Sequence, residues 1–285
     1  MTLLAPPNIL PNAMFLICKA LSPRGAFSAE RLKALVQPPS LRLRQAGPST
    51  YDVSLKALVD LRLVVRDGEQ LRLDGTVRTG NVGDFYQRLL LAVMAQADDR
   101  EGTARDLLRM LSWFATQDPY GAPFDWPRAE RQLQRQYEDP GMRPVTNSNP
   151  YEAFERWAVA LGFAEQGADG LVPEATRALL WTLPALPPVT GPARLGEVLT
   201  QLRTHLPVLD GGRSARSERD LLVDDAEHRA DPDAIDVYLT HALLRCEDEG
   251  SLRLTAPSDA DVILLSDGGT VEPRSHIEVL PGVAA

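Results

Sequence analysis

Residues 49–73 read STYDVSLKALVDLRLVVRDGEQLRL, and their pattern predicts the fold of the region around them. Tyr51, Leu55 and Leu58 recur at the spacing of one helical face, which predicts a helix that buries this face. Two short apolar runs then flank Asp67-Gly68, a pair that is typical of a tight turn between antiparallel strands. The stretch therefore predicts a helix followed by a β-hairpin.

The residues before this stretch predict two more helices. An apolar pattern from Ile9 to Leu21 ends at turn-forming residues 22–25. Ser28 is a good N-cap for a second, shorter helix, which Pro38-Pro39 ends. Three helices and a two-stranded hairpin make up a winged helix-turn-helix module, and we predict one for residues 1–80.

The same order of helices and then a hairpin recurs twice along the chain. Residues 81–186 predict a helical, elaborated winged-helix-like domain, whose hairpin turns at residues 167–170. Residues 190–285 predict a C-terminal winged-helix-like domain, in which we expect apolar runs 252–254 and 262–265 to pair. The predicted fold is mainly α with short β-hairpins, arranged as tandem winged helix-turn-helix modules.

Composition and charge exclude several classes of protein. The chain has 285 residues, 44% hydrophobic and 24% charged, and its net charge of −9 argues against a wholly basic nucleic-acid coat. Its two cysteines, Cys18 and Cys246, are predicted to be buried free thiols. No stretch approaches the ~18 uninterrupted apolar residues of a membrane span, and the N-terminus does not resemble a signal peptide. We therefore expect a cytoplasmic protein without a membrane partner.

Motifs that carry catalysis are missing from the sequence. It contains no P-loop, no dinucleotide-binding glycine motif, no nucleophile elbow and no His-Glu-x-x-His. We interpret His241, one helical turn after Tyr238, as a hydrogen-bonded core histidine. The sequence thus predicts that the protein is not an enzyme and has no catalytic residue, metal site or cofactor.

One acidic segment leaves an alternative open. It could bind a divalent metal and support a hydrolase, but its spacing matches no recognised ligand set, so we interpret it as a solvated loop. The residues concerned are Asp224, Asp225, Glu227, His228, Asp231 and Asp233.

Residues 1–80 hold the only local charge that suggests nucleic acid. Eleven basic against six acidic side chains give this region +5, which leaves −14 for the rest of the chain. The side chains next to the start of the third helix can meet phosphates through guanidinium groups and hydroxyls, and Lys56 lies on the exposed face of that helix. The predicted DNA-binding residues are Arg42, Arg44, Ser49, Thr50, Lys56 and Arg66.

Acidic neighbours limit this predicted contact. Asp52 and Asp60 share the helix face of Lys56 at i±4, where they repel phosphate. With roughly one unit of salt dependence per neutralised phosphate, three or four usable cations support only weak binding to duplex DNA. Winged helices also dock proteins, so a docking role without DNA contact is equally compatible with the sequence.

Three short segments resemble one bacterial family. They are Pro7-Asn8-Ile9-Leu10-Pro11-Asn12, Gly47-Pro48-Ser49 and Ser275-His276-Ile277. They resemble the DpdG family of the clusters that place 7-deazapurines in DNA, and the overall length and arrangement are similar. The resemblance implies an accessory subunit of a DNA-modification and restriction (phage-defence) system, which works with partner ATPases, nucleases or transglycosylase subunits. It carries over no catalytic residue.

Two functions therefore remain open. In the first, a non-enzymatic winged-helix accessory subunit contacts duplex DNA weakly through residues 1–80, and the acidic later modules bind other subunits of a multi-protein system. The alternative is an acidic tandem winged-helix adaptor or scaffold that docks onto an ATPase or kleisin-type complex without direct DNA binding. The sequence leaves homo-oligomerisation open.

Overall fold

The computed structural model is mainly helical, with sheets of two or three short strands. It describes residues 1–6, 8–22, 25–38, 40, 48–99, 101–186, 191–223, 234–257, 262–267 and 269–280. The prediction of a mainly α protein with short β-hairpins is confirmed. Within those ranges, no helix has both the length and the apolar character that crossing a bilayer requires.

The helices and strands have the following bounds. The helices are α1 (Pro11–Leu21), α2 (Ala29–Val36), α3 (Thr50–Asp60), α4 (Val82–Met94), α5 (Arg105–Phe114), α6 (Trp126–Gln136), α7 (Ser148–Ala160), α8 (Thr176–Thr182), α9 (Leu195–His205), α10 (Arg213–Arg219) and α11 (Val237–Asp248). The strands are β1 (Phe27–Ser28), β2 (Val64–Asp67), β3 (Gln70–Leu73), β4 (Ala164–Gly167), β5 (Gly170–Pro173), β6 (Ala193–Arg194), β7 (Ala234–Ile235), β8 (Leu252–Thr255), β9 (Ile263–Asp267), β10 (Thr270–Arg274) and β11 (His276–Val279).

The chain divides into two compact units. Unit 1 consists of Met1–Leu107 and Asn147–Ala160, and unit 2 consists of Leu108–Thr146 and Leu161–Ala285. The division into domains 1–80, 81–186 and 190–285 stays a prediction.

In unit 1, α1 is the central helix and packs against α2, α3, α4 and α7. The hydroxyl of Ser28 accepts the backbone N–H of Arg31 at 3.3 Å, so Ser28 caps α2 as expected. Strand β3 lies between β1 and β2, antiparallel to both, and the hairpin turns at Gly68 with a φ of 58°. The predicted third helix and its hairpin are thus present.

In unit 2, the C-terminal strands form two three-stranded sheets. Strand β11 lies between β6 and β8, whereas β9 lies between β10 and β7. The expected pairing of residues 252–254 with 262–265 is therefore wrong. Leu254 pairs with Ile277 instead, because a second hairpin, β9–β10, is inserted between β8 and its partner strand.

The two cysteines are confirmed as buried free thiols. Cys18 belongs to the core of unit 1, and Cys246 lies in α11 of unit 2. Burial raises the pKa of each thiol to about 12. Both side chains are therefore protonated packing groups at neutral pH.

Candidate nucleic-acid interface

Several predicted residues fall outside the described part of the chain. Arg42 and Arg44 are among them. The same holds for all six members of the acidic segment between residues 224 and 233. The DNA contact of Arg42 and Arg44 and the interpretation of the acidic segment as a solvated loop stay predictions.

Ser49 is engaged in the cap of α3. Its hydroxyl accepts the backbone N–H of Asp52 at 3.3 Å and donates to the Asp52 carboxylate at 2.7 Å. The same carboxylate accepts the backbone N–H of Ser49, which completes a capping box. Thr50 follows as the first residue of α3 and is half-buried. The cap fixes where α3 begins and occupies the hydroxyl that was predicted to meet a phosphate.

Two lysines near α3 are held by carboxylates. Lys33 Nζ lies 2.7 Å from Asp52 Oδ1, and Lys56 Nζ lies 2.8 Å from Asp60 Oδ2. Although burial acts to raise it, hydrogen bonds from Lys33 and Ser49 hold the pKa of Asp52 below its ordinary value. A phosphate that approaches either lysine must therefore compete with an existing ion pair.

Helix α3 is a core helix of unit 1. Of its eleven residues only Lys56 is exposed, with 57% of its side chain in solvent. Val53, Ser54 and Ala57 are buried in addition to the apolar stripe. The helix therefore does not offer a row of side chains to a DNA groove.

The hairpin carries two arginines that have no carboxylate partner among the described residues. Arg66 lies opposite Leu71, and Arg72 lies opposite Val65, so the two guanidinium groups leave opposite faces of the hairpin. Both side chains are exposed, as is Arg62 before β2. Exposed Asp67 and Glu69 flank the tip of the same hairpin and oppose its positive charge. The available positive charge of the hairpin is therefore modest.

A polar cluster in unit 2 surrounds His241. Its Nδ1 lies 2.9 Å from the Tyr120 hydroxyl and its Nε2 lies 3.2 Å from Glu174. The prediction of a hydrogen-bonded histidine is confirmed, but the ring is half-buried and not part of the core. The cluster was missed in the sequence because its members are far apart along the chain.

Glu174 is the centre of that cluster and is 3% exposed. Arg245 donates to its carboxylate at 2.6 Å, and the backbone N–H of Thr176 donates at 2.6 Å. Burial acts to raise the pKa of Glu174, but hydrogen bonds from His241 and Thr176 bring it down to about 2. Its donors come from α8 and α11, so the carboxylate joins these two helices.

Metal ligands do not converge in the described ranges. No group of three or more His, Cys, Asp or Glu side chains there has an arrangement that could hold a metal ion. Every partner of the Glu174 carboxylate in this cluster is a hydrogen-bond donor, and these donors lie in α8 and α11. The geometry of the cluster therefore supports the packing of these two helices.

Comparison with known proteins identifies the family. A family model described as DpdG-like matches residues 1–260, which include parts of both compact units. No curated protein and no solved structure matches the chain. The resemblance seen in the sequence is thereby confirmed, although its third segment, residues 275–277, lies beyond the matched range. The chain belongs to the DpdG-like family.

Proposed function

We propose that this protein is a non-enzymatic accessory subunit of a DNA-modification and restriction system, which contacts duplex DNA weakly and binds other subunits. The observation that carries the proposal is the family match over residues 1–260. A match of that extent relates nearly the whole chain to the family. A match confined to one winged helix would be weaker support, because that module serves many unrelated functions.

The order of elements supports tandem winged helices. In unit 1 the order is α1, β1, α2, α3, β2 and β3, with β3 central in its sheet. In unit 2 the order α8, β6, α9, α11, β8 and β11 has β11 central in the same manner. Helix α10, strand β7 and the β9–β10 hairpin are additions to this second module.

The DNA contact that we propose for residues 1–80 is made to phosphates. Exposed Arg62, Arg66 and Arg72 lie around the hairpin, and no carboxylate among the described residues pairs with them. Arginine pairs with phosphate oxygens through two parallel hydrogen bonds, which position a protein on DNA without reading its sequence. Lys56 adds to this contact by exchanging Asp60 for a phosphate.

A gel shift with duplex DNA tests this proposal. We expect the intact chain to bind at low salt, and Arg66→Ala/Arg72→Ala to weaken binding at least several-fold, as should Arg42→Ala/Arg44→Ala. Arg216→Ala, an exposed position of α10 in unit 2, is the control and should bind like the wild type. Failure of the wild type to bind even at low salt would exclude the DNA contact.

A specific observation also favours the second candidate, an adaptor without DNA contact. Both Lys33 and Lys56 are paired with aspartates, and the whole chain carries a net charge of −9. An adaptor should purify from its native host in a stoichiometric complex with other products of its gene cluster. Recovery of the chain alone, at physiological salt, would contradict the adaptor.

A further inference from the structure

Helix α6 lies on the surface of unit 2, where four of its eleven residues are exposed. Only Ala129 and Leu133 are buried among its eleven residues. Arg131, Gln134 and Arg135 are all exposed. Residues three and four positions apart lie on one side of a helix, so these three side chains form a single face, here called the α6 face.

The start of α6 is fixed to the neighbouring hairpin. Asp125 caps the helix by accepting the backbone N–H of Arg128 at 2.9 Å. Phe124 exchanges two backbone hydrogen bonds with Leu171, at 2.7 and 2.9 Å. Gly170 permits this approach, because a Cβ atom at that position would collide with the Phe124 carbonyl. The first turn of α6 is therefore held by backbone contacts.

The end of α6 is fixed by buried polar groups. Gln136 accepts a hydrogen bond from the indole N–H of Trp113 at 2.8 Å. The next residue, Tyr137, is buried and donates its hydroxyl to Glu218, which also binds Arg109 through two hydrogen bonds of 2.7 and 2.8 Å. Because both ends of α6 are held, a ligand that binds the α6 face does not pay the entropy cost of ordering the helix backbone.

The chemistry of the α6 face suits a duplex nucleic acid. Among the described residues no carboxylate pairs with Arg131 or Arg135, unlike the two lysines near α3. Arginine binds phosphate or the edge of guanine through two hydrogen bonds, and glutamine binds the edge of adenine in the same way. A helix of eleven residues is about 16 Å long, and the major groove, roughly 12 Å wide, admits an α-helix.

A protein partner is a poorer match for the same face. Protein interfaces are centred on buried aromatic or aliphatic side chains, which act as anchors. None of the exposed large hydrophobic side chains in the described ranges belongs to α6. Exposed Glu138 at the C-terminal end and half-buried Glu130, four positions before Gln134, border this face with negative charge. The composition of the face therefore favours contact with polar, negatively charged groups.

We propose that the α6 face, formed by Arg131, Gln134 and Arg135, is a second surface that binds duplex DNA. This inference rests on the proposed function, which includes DNA contact, and it adds a site in the region that the sequence assigns to partner proteins. The proposed contact through residues 1–80 and the α6 face are separate in the chain, so each can be removed without the other.

Fluorescence anisotropy with the intact chain and a labelled duplex tests the α6 face. We expect Arg131→Ala/Arg135→Ala to weaken binding about tenfold or more, and to reduce the slope of log affinity against log salt by about two. The charge-matched control, Arg177→Ala/Arg216→Ala, removes two exposed arginines elsewhere in unit 2 and should leave both values near those of the wild type. An unchanged Tm shows that both variants are folded.

The outcomes separate this inference from the proposed function. If the wild type binds DNA and the α6 variant binds like its control, the α6 face is wrong and the proposed function stands. If the wild type does not bind DNA, the DNA contact and the α6 face fail together. If the α6 variant keeps its DNA affinity but loses a co-purifying subunit, the face binds protein, and the inference is likewise overturned.

Discussion

Arg62 connects α3 to β2 with a φ of 58°, in the left-handed region that favours glycine. Gly162 and Gly250 take the corresponding places after α7 and α11, with φ values of 77° and 71°. The left-handed turn after α3 is closed by two hydrogen bonds, from Arg62 N to Val59 O and from Leu63 N to Leu58 O, both 2.9 Å long.

We expect Arg62→Gly to raise the free energy of unfolding by about 1 kcal/mol, because the strain of a side chain in this conformation is relieved. Urea unfolding measures the change. If Arg62 also contacts phosphate, the same variant should bind duplex DNA less tightly although it is more stable. A loss of stability would show that the guanidinium makes a stabilising contact that outweighs the strain.

The buried carboxylate of Glu174 makes stability depend on pH. Its folded pKa of about 2 lies below the ordinary value of 4.5, so its contribution is complete above pH 4.5 and is lost as the pH falls towards 2. The difference corresponds to about 3 kcal/mol. We expect Glu174→Gln to be about 3 kcal/mol less stable than the wild type at pH 7. Between pH 4.5 and pH 2, the variant should lose less stability than the wild type loses.

Chemical unfolding of both proteins across that pH range measures the effect. Glu165→Gln serves as the matched control, since Glu165 also pairs with Arg245, at 2.9 Å, but is largely exposed. We expect the control to change stability by less than about 1 kcal/mol. Parallel pH profiles for wild type and Glu174→Gln would contradict the assignment.

At the scale of elements, the capping box of Ser49 and Asp52 defines the start of α3. Ser49→Ala should lower the free energy of unfolding by about 1 kcal/mol, because an orphan backbone N–H loses its partner. Thr50→Ala is a suitable comparison, because Thr50 stands next to the cap without forming it. Equal urea midpoints for the two variants would show that the cap contributes nothing to the stability of unit 1.

The helices and hairpin of residues 1–80 could be predicted because their signals are local. The Ser28 cap, the apolar stripe of α3 and the Asp67-Gly68 turn each depend on neighbours within a few residues. Pairing across longer separations could not be predicted. Strand β8 finds its partner β11 beyond an entire inserted hairpin, and nothing in residues 252–254 distinguishes β11 from the nearer β9.

The candidate sites show the same division between local and tertiary signals. The aspartates beside Lys56 could be recognised from their i±4 spacing, but the pairing of Lys33 with Asp52 depends on how α2 packs near α3. The burial of Val53 and Ala57 on α3 is likewise set by tertiary packing. For this reason the sequence favoured α3 as the DNA-contacting helix, whereas exposure favours α6.

At the scale of the whole molecule, charge is distributed unevenly between regions. Residues 1–80 carry +5 and the remainder carries −14, so electrostatic attraction to DNA has to come from local groups. Five exposed arginines are proposed to meet phosphates: Arg62, Arg66, Arg72, Arg131 and Arg135. At roughly 0.9 per neutralised phosphate, these five give a salt slope of about −4.5 for log affinity against log salt, and contacts from Arg42, Arg44 or Lys56 would make the slope steeper.

The salt dependence of duplex binding by the intact protein tests whether it is a DNA-contacting accessory subunit. Equilibrium titrations at several salt concentrations should give affinities that fall with a slope of about −4.5 or steeper, which corresponds to weak binding at physiological salt. Absence of binding at the lowest salt concentration, or an affinity that does not change with salt, would contradict a DNA-contacting accessory subunit.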